Sequence, residues 1–95
     1  MADLVMTVNS ATARRDGARV VVNISGEKAN SRDEVYAETG HGGSTADVHV
    51  RVRPAAGFGT EMTGPFSLSA TIESADDVKR VRVHGKNGVK EVAVN

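Results

Sequence analysis

Apolar and polar residues alternate one by one along much of this chain, and a period of two is the pattern of half-buried β-strands. In "ADVHVRVRP", residues 46–54, alanine and three valines alternate with charged residues and a histidine. The same alternation runs through "PFSLSATIE", residues 65–73. We therefore expect a strand in each stretch, with Val50 and Leu68 fully buried.

The C-terminal stretch "VKRVRVHGKNGVKEVAVN", residues 78–95, has the pattern of a β-hairpin. Asn87-Gly88 is the residue pair that best tolerates the positive φ angles of a type I′ turn. A two-residue turn at this pair fixes the register of the two strands. The predicted register pairs Val81 with Val94 and Val83 with Val92.

The N-terminal stretch "LVMTVNSATARRDGARVVVNIS", residues 4–25, allows two hairpin registers. A two-residue loop at Asp16-Gly17 would separate the valines of the second strand from Leu4 and Met6 of the first. A three-residue loop, residues 15–17, with Gly17 left-handed at a bulge, puts all of them on one face. We choose this loop, which pairs Val8 with Ile24, Ser10 with Val22 and Thr12 with Val20.

The middle stretch "NSRDEVYAETG", residues 30–40, fits either of two structures. Ser31 and Glu34 could form the capping box of a short helix that ends at Gly40. The alternative is a strand over residues 33–39. Because the apolar residues give a helix little to bury, we favour the strand.

These segments add up to a single domain, residues 1–95, with a core made mainly of valine, since the chain has three aromatic residues and no tryptophan. Short alternating strands separated by turns are typical of a sandwich. The predicted fold is all-β, a seven-stranded antiparallel β-sandwich of immunoglobulin-like architecture. Its strands lie near residues 3–12, 18–26, 33–39, 45–53, 66–73, 78–84 and 89–94.

Composition narrows the classes of function. Twelve basic and twelve acidic residues cancel, so no net field attracts nucleic acid or an anionic membrane, and there is no cysteine for a disulfide or a thiolate site. No stretch approaches the length of a membrane span. The acidic N-terminus lacks the pattern of a signal peptide, which predicts a cytoplasmic or virion protein; a mature secreted form given a starter methionine would look the same.

The glycine-rich run "TGHGGSTAD", residues 39–47, raises the question of a phosphate-binding loop. Such a loop leads into a helix N-terminus, whereas this run leads into a predicted strand. We interpret its glycines as a hairpin connection.

Three histidines, His41, His49 and His84, invite a metal hypothesis. Asp47 and His49 share one strand face about 7 Å apart, but nothing in the spacing brings His41 or His84 to the Asp47 side. A zinc site needs three or four protein ligands. We therefore predict no metal and no cofactor, and since no nucleophile motif is present either, no enzyme and no small-molecule substrate.

A basic face that could bind nucleic acid is a further candidate site, and its residues are Arg51, Arg53, Arg80 and Arg82. Proteins that bind single-stranded nucleic acid combine such charge with aromatic side chains on which the bases stack. Here no aromatic residue is interleaved with the arginines. A solvated strand surface that resists aggregation is the favoured interpretation.

The stretch "PAAGFGTEMTGP", residues 54–65, is long for a loop in a compact domain. Phe58 and Met62 are its large apolar residues, at positions where periodicity gives them no inward face. They either plug the end of the core or contact a partner protein.

The leading hypothesis is a non-catalytic structural module that contacts other protein subunits, including copies of itself, as a repeated component of an assembly such as a virion capsid or tail. The second hypothesis is a secreted or cell-surface domain that binds a protein ligand, or inhibits an enzyme, through its loops. The third is a weak nucleic-acid binder that uses the basic face.

Overall fold

The computed structural model describes residues 3–53 and 62–95, and within them the chain forms seven β-strands and no helix. The all-β prediction is confirmed. The strands are β1 (Thr7–Asp16), β2 (Arg19–Lys28), β3 (Glu34–Gly42), β4 (Thr45–Arg53), β5 (Gly64–Ile72), β6 (Arg80–Gly85) and β7 (Gly88–Ala93).

The strands form two sheets, one in the order β1-β2-β5 and one in the order β3-β4-β6-β7. The prediction that all strands are antiparallel is wrong, because β4 and β6 run parallel. These two strands are not joined by a hairpin: β5, in the other sheet, lies between them in the chain. A parallel pair needs such a crossover connection.

Inward-facing residues of both sheets form one apolar core. Val50 is fully buried, as predicted. The prediction that Leu68 is fully buried is wrong, because it lies on β5, an edge strand, and packs against the core only partly. The fully buried valines are Val5, Val8, Val20, Val22, Val48, Val50, Val78, Val81 and Val83.

The N-terminal segment contributes to both sheets. Val5 N–H donates to the Val50 carbonyl and Val52 N–H donates to that of Asp3, so residues 3–5 extend the four-stranded sheet before β1 enters the other. Val5 is therefore the buried residue here, and the expectation that Leu4 and Met6 share the inward face of the valines is wrong.

The predicted loop of the N-terminal hairpin is also wrong. The turn is Gly17-Ala18, with φ of 62° at Gly17, and the extra residue lies in β1, where the register shifts between Val8 and Ser10. This bulge, rather than the loop, lets Val8 face inward with the valines of β2. The observed register pairs Ala11 with Ile24, Ala13 with Val22 and Arg15 with Val20.

The C-terminal hairpin turns at Lys86-Asn87, one residue earlier than predicted. The only described non-glycine residue with positive φ is Ser74, so Asn87 does not adopt a type I′ conformation, and Gly88 takes the positive φ instead, at 122°. The predicted register is wrong by two residues, which leaves the inward face of β6 unchanged. The observed pairs are Val81 with Val92 and Val83 with Lys90.

The middle stretch is a strand, as favoured. β3 is longer than predicted, because most of the glycine-rich run belongs to β3 and β4 rather than to a loop. The connection itself is Gly43-Ser44, and Gly43 has a φ of 71°, a conformation that glycine adopts without steric cost.

Candidate functional site

The four candidate basic residues lie on the outer face of the four-stranded sheet, and each contacts a carboxylate on a neighbouring strand. Arg51 of β4 pairs with Glu38 of β3, and Arg53 lies 3.3 Å from Glu34. Within this face the positive charges therefore lie beside negative ones. A polyanion would have to compete with these carboxylates for each guanidinium.

Arg80 and Arg82 share one carboxylate, that of Glu91 on β7. The nitrogen–oxygen distances are 2.8 Å and 3.5 Å. The hydrogen bond from Arg80, with the positive charges of both arginines, holds the pKa of Glu91 below its ordinary value. Glu91 is thus ionised at neutral pH and offsets part of the charge of its partners.

A histidine pair with an aspartate occupies the centre of the same face. The parallel pairing of β4 with β6 places His49 beside His84, with ring centroids 4.2 Å apart and planes 10° from parallel. His84 Nε2 lies 2.8 Å from Asp47 Oδ1. The expectation that nothing brings His84 to the Asp47 side is wrong, because it assumed that no parallel pair joins these strands.

Asp47 and His49 of this cluster line an open groove of about 650 Å³ with Glu38, His41 and Arg82. The two stacked imidazoles hold their ring nitrogens in parallel planes, so their lone pairs do not point to a common ion. Among residues 3–53 and 62–95 no group of three or more histidine, aspartate or glutamate side chains has the arrangement of a metal site. The same residues contain no helix long and apolar enough to cross a membrane.

The outer face of the three-stranded sheet carries small hydroxyl and amide side chains that bond to one another. Ser10 and Ser25 hydroxyls lie 2.5 Å apart, and the Ser69 hydroxyl donates to Asn23 Oδ1 at 2.7 Å. Their hydrogen-bonding capacity is partly used within the sheet. We assign no chemistry to this face.

On one side of the molecule, where β1 and β7 meet, the two sheets are joined by hydrogen bonds. We call this the closed side. Asn95 N–H donates to the Ala13 carbonyl and Arg15 N–H donates to that of Asn95, at 3.0 and 2.8 Å. The Asn87 side chain also accepts from Val8 N–H and donates to its carbonyl, at 3.0 and 3.1 Å. The edge of β1 is therefore occupied over much of its length.

On the opposite side, β3 and β5 pack next to each other as the edges of their sheets, and we call this the open side. Three apolar residues, Val35, Ala37 and Leu68, pack against the core here but are only partly buried. His41 Nε2 lies 3.0 Å from the Glu73 carbonyl and links the ends of the two strands. An apolar seam thus lies between two strand edges.

The edges differ in the devices that discourage pairing with another chain. Natural edge strands use proline, lysine, inward charges, bulges and short length for this purpose. β7 is six residues long with Lys90 opposite the inward-facing Val83, and β5 has Pro65 near its start. β1 has its bulge and the closed-side contacts. β3 has nine residues and carries charge only as the outward-facing Glu34 and Glu38; it has no proline, lysine, bulge or inward charge.

The structure describes one of the two candidate contact residues of the long loop. Phe58 lies outside the described residues. Met62 is 63% exposed, and its carbonyl accepts a hydrogen bond from Ser31 N–H at 2.7 Å. Its role in a protein contact stays a prediction. Val89 of β7 is the other large apolar residue that is exposed, at 56%, among those the structure describes.

Sequence reasoning did not identify β3 as an open sheet edge, nor the Asn87 side chain as a contact between the two sheets. The signal for β3 was present, since the strand predicted over residues 33–39 contains no proline or lysine and is open to pairing if it forms an edge. That β3 forms an edge follows only from the strand order. The signal for Asn87 was masked, because asparagine before glycine is also the usual mark of a tight turn.

Comparisons of the chain with protein-family models, with curated proteins and with solved structures find no match.

Proposed function

We propose that this chain is a non-catalytic β-sandwich module that joins protein subunits, including copies of itself, as a repeated component of a larger assembly such as a virion capsid or tail. The observation that carries the proposal is the contrast between its two sides. The closed side uses backbone and side-chain hydrogen bonds to occupy the edge of β1. The open side leaves the edge of β3 without a partner strand among residues 3–53 and 62–95.

The sandwich is supported by the single core that both sheets share. The immunoglobulin-like part of the proposal is supported by the seven strands in sheets of three and four. The parallel β4–β6 pair departs from the purely antiparallel sheets of that architecture.

Two features of the described residues favour subunit contact over the other hypotheses. The hairpin turns at Gly17-Ala18, Gly43-Ser44 and Lys86-Asn87 have two residues each, which leaves little loop surface there to grip a ligand. The four arginines of the basic face contact carboxylates, which weakens the case for nucleic acid.

Native mass measurement of the untagged chain over a range of micromolar concentrations tests the proposal. We expect defined oligomers whose fraction rises with concentration. A second measurement, retention on immobilised DNA at low and moderate salt, tests the third hypothesis. A chain that stays monomeric at every concentration, together with strongly salt-dependent retention, would overturn the proposal in favour of nucleic-acid binding.

A further inference from the structure

The hydrogen bonds of β4 show which backbone groups of β3 point away from the sheet. The carbonyl of Val50 and the N–H of Val52 bond to residues 3–5, on the side of β4 away from β3. Backbone groups alternate sides along a strand, so the odd-numbered residues of β4 bond to β3. Their partners in the register are even-numbered, from Glu34 to Gly42.

The remaining residues of β3 therefore direct their N–H and C=O groups at the open edge. They are Val35, Ala37, Thr39 and His41. Among residues 3–53 and 62–95 no strand pairs with this edge. The edge thus presents donors and acceptors at the spacing of a strand ladder, which is the pattern that another strand recognises.

We propose that β3 pairs antiparallel with β3 of a second copy of this chain, around a two-fold axis at Ala37, so that two four-stranded sheets become one continuous sheet. This inference rests on the proposed function, because it names the contact that joins the subunits. It makes the interface isologous, with the same edge contributed by both copies.

The side chains of β3 favour this register. In an antiparallel pair, residues directly opposite each other share a face. An axis at Glu38 would set that carboxylate opposite its own copy, which is destabilising. An axis at Ala37 sets Tyr36 opposite Glu38, and Val35 opposite Thr39, with no like charges facing each other.

The apolar seam gives the same answer. Val35 and Ala37 are the partly buried apolar residues of β3. An axis at Ala37 sets Ala37 opposite its own copy and Val35 two residues away on the same face, so the added strand covers both residues. An axis at Thr39 would set Val35 opposite Gly43, which lies in the turn beyond β3, and would leave Val35 outside the paired segment. The formal net charge of zero also means that two copies approach without long-range repulsion.

Two substitutions at Thr39 test the contact in the full chain. Thr39→Pro removes an N–H that points to the open edge, so it blocks strand pairing without taking a hydrogen bond from β4. Thr39→Lys adds a charge on the inward side of the edge and serves if the proline variant fails to fold. Thr12→Lys is the matched control, since Thr12 is also an exposed threonine on an edge strand.

Oligomer fraction and unfolding midpoint are measured together for each variant. We expect Thr39→Pro and Thr39→Lys to raise the dissociation constant of the dimer by about tenfold or more, while Thr12→Lys leaves it unchanged. If the wild type assembles and the Thr39 variants assemble equally well, the β3 contact is wrong and the proposed function stands. If the wild type does not assemble at any concentration, both are wrong.

Disulfide formation tests the position of the axis. The chain has no cysteine of its own, so only the introduced cysteines can form a disulfide. Across a hydrogen-bonded antiparallel pair the Cα atoms lie about 5.5 Å apart, a distance that a disulfide spans. We expect Ala37→Cys to form a covalent dimer on mild oxidation and Glu38→Cys not to do so. Covalent dimers from Glu38→Cys alone would overturn the axis at Ala37.

Discussion

Replacing Asn87 with alanine tests how the closed side is held together. The Asn87 amide bonds to both the N–H and the carbonyl of Val8, and Val8 is 1% exposed. Alanine removes both partners at once. The loss tests the link between the C-terminal hairpin and β1, because Val8 belongs to β1 and Asn87 to the turn between β6 and β7.

The size of the effect follows from the two orphaned backbone groups. A buried polar group that loses its partner costs about 1 to 3 kcal/mol. Asn87 itself is exposed, so water reaches the vacated site from one side and the lower end of that range applies to each group. We expect Asn87→Ala to reduce the free energy of unfolding by about 2 kcal/mol. Asn87→Asp keeps the acceptor and loses the donor, so its loss lies between those of alanine and wild type.

Urea unfolding measures this loss as a lower midpoint at an unchanged slope. Asn23→Ala is the matched control, since Asn23 is an exposed asparagine that accepts one hydrogen bond from Ser69 on the outer sheet face. Its expected loss is within about 0.5 kcal/mol. Equal midpoints for the Asn87 and Asn23 variants would show that the Asn87 amide does not hold the two sheets together.

Three further predictions concern the core and the outer face. Gly26→Ala should cost about 3 kcal/mol in urea unfolding, because a Cβ there would lie 2.0 Å from a backbone oxygen of β1; Gly40→Ala, with open space around it, should cost less than about 1 kcal/mol. Val50→Ala should cost about 2 to 3 kcal/mol and Leu68→Ala only about 1 to 2, since Val50 is fully buried and Leu68 only partly; an equal or larger loss at Leu68 contradicts the burial described above. The lowered pKa of Glu91 means that its ionised form stabilises the fold at pH values above the ordinary carboxylate pKa. This stabilisation is lost as the pH falls through the lowered pKa of the folded state. Glu91→Gln should therefore lose less stability than wild type between neutral and acid pH, and identical acid-side profiles would refute this.

The strands themselves were predictable because their signal is local. Alternation alone located β4 over residues 45–53, with the bounds that the structure shows. It also chose a strand for β3, where the adjacent Val35 and Tyr36 gave a helix too little to bury. Both β3 and β4 form because they bury one face, and the period of apolar residues in the sequence shows directly which face is buried.

The hairpin registers could not be read in this way. A shift of two residues keeps every side chain on its face, so the pattern around Val81 and Val83 fits the observed register as well as the predicted one. The Asn87 side chain decides between the two registers, because it bonds to Val8. This contact joins residues that are far apart in the chain. The bulge near Asn9 was missed for a related reason, since an extra residue within a strand leaves no turn signal.

The candidate site depended on strand order, which the local pattern does not contain. No turn joins β4 to β6, so nothing in the sequence predicted their parallel pairing or the stacking of His49 on His84. The same order makes β3 an edge. The loop that carries Phe58 stays a sequence prediction, and only its neighbour Met62 is placed.

Amide hydrogen exchange along β3 as a function of protein concentration tests most directly the claim that another chain joins at the open side. The amides of Val35, Ala37 and Thr39 point to the open edge, whereas those of Tyr36 and Glu38 bond within the sheet. We predict that the first set becomes protected as the concentration rises, while the second set is protected throughout. Fast exchange of Val35, Ala37 and Thr39 at every concentration, under conditions in which the chain is folded, would contradict the account.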